Sequence, residues 1–375
     1  MKENFIKNTK SSWLIQAQSD LNQTRQLFKN HNLLDLQASL PFEIWPENSN
    51  QDLNQDQNKI IKTKKAVVLI HGFLGTPYFM KSLASIYAAQ GFYCYAPTLP
   101  GHGVCPQALK NIGLLDILKF LNNTLDQIQT QFEEVHLCGF SLGALLALLL
   151  TRTRKKTIQS ITLLAPPLGI TKFSKLIPPL SKMGFSQMPY PSAASLNGLK
   201  NPAMYSWHPL SAALTILDGM KIIHDNPSAW NNIPIFLIAS YSDGVVKLQP
   251  LLDFFAQNNT HPKSKLRLYA PEKFPLSNLN KITLIPENTL GPHIKNLSHI
   301  GLAISPEDPW LGVDSPQYQN LPKHYFLAEK LPIHLFQKNI FRIFYNPDFK
   351  NLAQDLTAFL ISDSKAAFKA VGDQP

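Results

Sequence analysis

One stretch of this chain, Val135 to Leu150, constrains its fold more than any other. Val135-His-Leu-Cys138 reads as a short buried strand, Gly139-Phe-Ser-Leu-Gly143 as a tight turn, and Ala144 to Leu150 as the body of an apolar helix. A serine gains nothing in packing by sitting between two glycines at those offsets. It does gain reactivity. A sharp strand-to-helix turn holds Ser141 in a strained conformation with its hydroxyl exposed at the carboxyl edge of a sheet. Gly139 and Gly143 lack the Cβ atoms that would collide across such a bend. The helix that follows aims its amino terminus at the serine, where free N–H groups favour developing negative charge.

The rest of the chain supplies a sheet for that turn. Ala66 to Ile70 is a continuous apolar run of strand length, followed by His71-Gly-Phe-Leu-Gly75 and a helical stripe of Met80, Leu83, Ile86 and Tyr87 that Gly91 stops. Phe92 to Ala96 forms a second strand, Leu114 to Ile128 a second helical stripe, and Ser160 to Ala165 and Ile235 to Ala239 two further strands. Strands that are nearly all apolar and alternate with helices predict a parallel sheet buried on both faces. Leu266 to Ala270 and Ile282 to Ile285 also look like strands, and Leu352 to Leu360 gives a last helix. Residues 1–46 are hard to place, with a helix around Trp13 to Leu27 and a strand at Phe42 to Trp45. Residues 47–62 are an Asn/Gln-rich polar connection.

Between the fourth and fifth strands, residues 168–230 exceed what a crossover needs and are broken by prolines. An insertion there emerges on the same sheet edge as Ser141 and reads as a cap over a pocket. Phe173, Ile177 and Met183 are its candidate substrate-binding residues. The expected division is an N-terminal segment and linker over 1–62, a core over 63–167 and 231–365, and a cap over 168–230.

With 35 Lys and Arg against 25 acidic residues, the formal charge is +10. The basic residues are scattered apart from Arg152 to Lys156, which best suits the end of the helix after Ser141. No nucleic-acid-binding signature is present, and the excess charge favours at most weak association with a membrane surface. Cys94, Cys105 and Cys138 have no metal spacing, and no metal or cofactor is expected. No signal peptide or bilayer-spanning run is legible, so the expected setting is cytoplasmic.

A serine hydroxyl needs a base to remove its proton and a third group to orient that base. The acid candidate is Asp243, in the Ser240-Tyr-Ser-Asp-Gly244 loop after the strand ending at Ala239. A bland reading makes it a turn-forming Asp before Gly. For the base, His261, His293, His299, His324 and His334 all lie downstream. His299 stands in a small-residue loop after the last strand and is the preferred one. The N–H groups of Phe73 and Leu142 are the natural pair to receive an oxyanion.

Three motifs together, Val67 to Gly75, Gly91-Phe-Tyr-Cys-Tyr-Ala-Pro-Thr-Leu-Pro-Gly-His-Gly103 and Gly139 to Gly143, resemble the α/β-hydrolase superfamily. They are most similar to its bacterial carboxylesterase and monoacylglycerol-lipase branch, also described as lysophospholipase-like or serine aminopeptidase-like. The resemblance implies an α/β fold with a mostly parallel central sheet, helices on both faces and an inserted cap. It implies Ser141 as nucleophile, Asp243 and His299 as its partners, Phe73 and Leu142 as oxyanion donors, and no cofactor. The implied reaction is hydrolysis of carboxylic esters, from short acyl esters to monoacylglycerol-like lipids, through an acyl-enzyme on Ser141. The alternatives are a thioesterase or aminopeptidase on the same fold, or a binding protein that keeps the fold without turnover. Asp243 and His299 are further apart in sequence than is usual in that branch, and residues 303–345 have no assigned role.

Overall fold

The computed structural model describes residues 10–46, 63–169, 186–189, 203–275, 281–291, 297–315 and 345–361. The apolar runs become strands β1 (Phe42–Ile44), β2 (Lys65–Ile70), β3 (Tyr93–Ala96), β4 (Glu134–Phe140) and β5 (Ile158–Leu164). They continue as β8 (Ile235–Ser240), β9 (Lys265–Ala270) and β10 (Ile282–Pro286), while β6 (Gln187–Pro189) and β7 (Trp207–Pro209) form a separate antiparallel pair. The eight strands of the main sheet lie in the order β1-β3-β2-β4-β5-β8-β9-β10. All neighbours pair in parallel except β1, which runs antiparallel to β3.

Register decides what meets at the carboxyl edge. β2 pairs with β4 from Lys65↔Glu134 to Ile70↔Gly139, so His71 leaves the sheet beside the turn that carries Ser141. β8 ends level with β9 at Ser240↔Tyr269, and β10 ends level with β9 at Pro286↔Ala270. The residues after β2, β4, β8 and β10 therefore issue from one edge.

Each face of the sheet buries its own apolar layer. On one face lie the helices Lys81–Ala89 and Phe349–Ile361, contributing Leu83, Tyr87, Leu352, Leu356 and Phe359. On the other lie Leu114–Gln129, Leu142–Thr153 and Leu248–Asn258. The helix Leu142–Thr153 is buried at every residue from Leu142 to Thr151, as an unbroken apolar sequence requires. The helix Leu210–His224 crosses it, and a Cβ on Gly219 would come within 2.8 Å of Leu145. Glycine lets these two helices approach. Arg154, next after Thr153, reaches Asn122 and Asp126 on the neighbouring helix.

Residues 10–46 wrap the β3 edge. The helix Ser12–Leu27 is capped by Ser11, whose Oγ accepts the Leu14 N–H and donates to Glu43. Trp13 Nε1 donates to the Tyr93 hydroxyl at 2.8 Å, and that hydroxyl donates to Glu43 at 2.6 Å. At the other end of the sheet, buried Arg267 of β9 pairs with Asp348 and Asp355 and so fastens the C-terminal helix. Among the described residues no helix is long and apolar enough to cross a membrane.

Candidate active site

Ser141 adopts φ 53° and ψ −118°, a conformation that costs a side chain on the order of 1–3 kcal/mol. The surroundings enforce it. Ser141 N–H donates to Leu164 O at 2.8 Å, and the Ala144 and Leu145 N–H groups donate to the Ser141 carbonyl. A Cβ on Gly139 would lie 2.3 Å from Gly143 O. The hydroxyl that results sits at the mouth of the sheet edge, with the residue only 8% exposed.

Two loops bring partners to it. The turn after β8 places Asp243 Oδ1 to accept the N–H groups of Val245 and Val246 at 2.8 and 3.0 Å. Its Oδ2 accepts from His299 Nδ1 at 2.6 Å. That bond assigns the tautomer: Nδ1 carries the proton, and Nε2, 2.9 Å from Ser141 Oγ, is left to accept the hydroxyl proton. Burial works to raise the Asp243 carboxyl. The charge and hydrogen bond of His299 and the two N–H donors outweigh it, so the group ends below its ordinary value. The Phe140 ring stands 5.0 Å from the imidazole and limits its swing.

The loop after β2 faces the serine from the other side. A Cβ on Gly72 would press on the Ser141 Cβ at 3.2 Å, and Leu74 is held at φ 63°. Among the described residues nothing accepts the N–H of Phe73 or of Leu142. Buried His71 shapes this loop: Nε2 accepts the Leu99 N–H at 3.1 Å and Nδ1 donates to Gly72 O at 3.0 Å. Burial, reinforced by His102 nearby, holds His71 well below its usual value, so it stays neutral and keeps both bonds. Tyr205 donates its hydroxyl to Gly101 O and accepts the Val104 N–H, while its own N–H meets Leu74 O.

Sequence reasoning missed parts of this. The residue pattern gives His71 no bonding role, although an apolar strand running straight into His-Gly is a signal. Tyr205 carried none. A second carboxylate that the sequence does not single out, Glu287 directly after β10, is buried against the loop that carries Asp243. Pairing β8 and β10 through β9 is a matter of register, which no local pattern announces. His261 lies in the turn before β9, at the opposite, amino edge of the sheet. His293, His324 and His334 fall outside the described residues, as do Phe173, Ile177 and Met183. A cavity of about 330 Å³ opens between the helices Ser12–Leu27 and Leu114–Gln129, behind Leu99 and His102, and includes none of Ser141, Asp243 or His299.

A family model described as the alpha/beta hydrolase fold matches residues 65–217 of the 375. A solved structure of metagenome-derived lipolytic enzymes superposes with a TM-score of 0.52 at 16% identity, covering 67% of this chain and 94% of its own. The chain has the α/β-hydrolase fold. Its curated relatives include a carboxylesterase from Bacillus subtilis, 33% identical over 107 residues, which are 28% of this chain and 43% of that protein. A thermostable monoacylglycerol lipase from a Bacillus species is 31% identical over 84 residues, 22% of this chain and 34% of the relative. The matched segment thus spans less than half of either relative's length. Within the hydrolase fold, the strand-turn-helix at Ser141 and the loops after β2 and β8 occupy one edge.

Proposed function

We propose that this protein is a serine hydrolase of carboxylic esters. The observation that carries the reading is the unbroken chain from Asp243 through His299 to Ser141, with contacts of 2.6 and 2.9 Å. In the proposed reaction, His299 Nε2 takes the Ser141 proton as Oγ attacks the ester carbonyl. The tetrahedral oxyanion is received by the N–H groups of Phe73 and Leu142, a stabilisation that is worth on the order of 3 kcal/mol per donor in related chemistry. Asp243 balances the imidazolium. His299 then passes the proton to the departing alkoxide, leaving the acyl group on Ser141. Water, deprotonated by the same nitrogen, releases the acid and restores the serine.

The relatives named a carboxylesterase and a monoacylglycerol lipase support an ester or monoacylglycerol-like lipid as substrate. Phe73 follows Gly72, which approaches Ser141, and its ring, 5.2 Å from that of His208, offers an apolar surface for an acyl group. We assign the choice of acyl length to the cap and to Phe173, Ile177 and Met183, each buried methylene contributing roughly 0.8 kcal/mol.

The test is labelling by a fluorophosphonate probe, followed by turnover of p-nitrophenyl esters of rising chain length and a matching thioester series. Labelling of wild type and not of Ser141→Ala, with ester turnover, is expected. Near-wild-type turnover in Ser141→Ala would overturn the assignment, and a preference for thioesters would move the protein to that class.

A further inference from the structure

Glu287 follows β10 directly, and its carboxylate is buried, with the residue 6% exposed. Its Oε2 accepts the Ser242 hydroxyl at 2.8 Å, and its Oε1 faces the Ser240 hydroxyl at 3.3 Å. The Ser240 hydroxyl also lies 3.0 Å from the Leu297 carbonyl oxygen. Ser242 immediately precedes Asp243, and Leu297 stands two residues before His299. The Leu297 backbone N–H also bonds the Glu287 carboxylate, so this one side chain joins the loop that carries the acid to the loop that carries the base.

A carboxylate is expensive to bury, and where stability alone matters an apolar residue of similar size usually does as well. The partners of Glu287 are hydroxyls and backbone N–H groups. Burial pushes its carboxyl up from the ordinary value, and the hydroxyls of Ser242 and Ser240 only partly offset this. The cost is repaid where it matters, in the registration of two loops that share no strand.

We infer that Glu287 is a positioning residue that sets the Asp243–His299 hydrogen bond, an inference that rests on the triad proposed above. Without it the Ser240–Asp243 turn is free to slide against residues 297–299. The 2.6 Å bond then lengthens, and the imidazolium formed during attack loses its counter-charge. Among the described residues the hydrogen bonds of Glu287 go to the Ser240–Ser242 segment and Leu297 and not to Ser141 or the Phe73 loop, so substrate binding should be unaffected.

The experiment compares Glu287→Ala, Glu287→Gln and Ser242→Ala with wild type on a p-nitrophenyl ester, with active sites counted by fluorophosphonate titration. Glu287→Ala should lose roughly ten- to a hundredfold in kcat per titrated site with KM within about twofold. The acid limb of its kcat/KM profile should move to lower pH, because an imidazolium with a weaker counter-charge gives up its proton more readily. Glu287→Gln, which keeps the shape and can still bridge two hydroxyls, should recover most of the loss. Ser242→Ala, which removes only one contact, decides the case if Glu287→Ala fails to fold, and should reproduce the kcat loss and pH shift in milder form. Variants that fold less well but turn over at wild-type kcat per site, with an unmoved pH profile, would reduce Glu287 to a structural group and overturn the inference. Wild type that resists the probe would instead sink the triad itself, and the inference with it.

Discussion

Gly143 lies so close to the end of β2 that a Cβ on it would stand 1.9 Å from the carbonyl oxygen of Ile70. This contact presses the amino terminus of the helix after Ser141 against the strand that delivers His71, Gly72 and Phe73. It sets the start of that helix, at Leu142 and Gly143, against the residues that lead into Phe73. The glycine is needed for approach, not for an unusual φ.

Gly143→Ala should therefore separate the two donors. Overpacking against backbone costs on the order of 1–3 kcal/mol or more, and misplacing one oxyanion donor about 10²-fold in kcat. A lowered melting temperature with a kcat loss of that size is the expected outcome. A fully active Gly143→Ala would mean the two loops do not cooperate.

Asp243→Asn is expected to lower kcat by roughly 10³–10⁴-fold, the scale that loss of the acid has in serine proteases. Its carboxyl sits below the ordinary value in the folded protein. A depressed carboxyl stabilises the fold above its unfolded pKa, and this contribution is lost as pH falls through the folded value. Acid denaturation of Asp243→Asn should thus depend less steeply on pH at the acid end than that of wild type. An unchanged acid profile would contradict the assigned direction.

Two buried histidines predict a second pH effect with the opposite chemistry. Burial pushes His136 down to about 3 and His102 to about 4. In the unfolded chain both titrate near the ordinary value, about 6.5. Below that pH the unfolded chain binds protons that the folded one refuses, so stability falls toward the folded values and levels off beneath them. Each group contributes about 1.4 kcal/mol per pH unit across this window. His136→Gln, which can keep a hydrogen bond to Ser160 (2.7 Å in the wild type), should reduce the slope by about that amount in urea titrations below about pH 6.5 and leave it unchanged above. An unreduced slope would show that the folded protein already protonates this site.

Tyr205→Phe tests the tie between the insertion and the loops around Ser141. It strands the Val104 N–H, which the Tyr205 hydroxyl engages at 2.8 Å in a buried setting, at a cost of about 1–3 kcal/mol. The same loop supplies the Leu99 N–H to His71, so kcat should fall several-fold together with the melting temperature. A drop in melting temperature with kcat untouched would confine Tyr205 to stability.

Much of the architecture was legible because burial leaves a local trace. Apolar runs at Ala66, Phe92, Val135, Ser160 and Ile235 all became strands, and the stripe from Leu114 to Ile128 became a helix with that face inward. The turn at Ser141 was legible because only glycine fits where a Cβ would stand 2.3 or 1.9 Å from backbone oxygen. These are short-range steric facts, and one-dimensional order is enough to write them down.

What the chain order could not decide was which distant groups meet. Five histidines follow Asp243, and although a small-residue loop after a strand favours His299, only the fold brings its Nε2 within 2.9 Å of a serine 158 residues earlier. The buried carboxylate of Glu287 belongs to the same class, since its role depends on β9 lying between β8 and β10. So does the antiparallel pairing of Phe42–Ile44 with β3. Burial and turn geometry are properties of neighbours in sequence, whereas hydrogen-bond partners across loops are set by strand order and register, and these exist only once the sheet has formed.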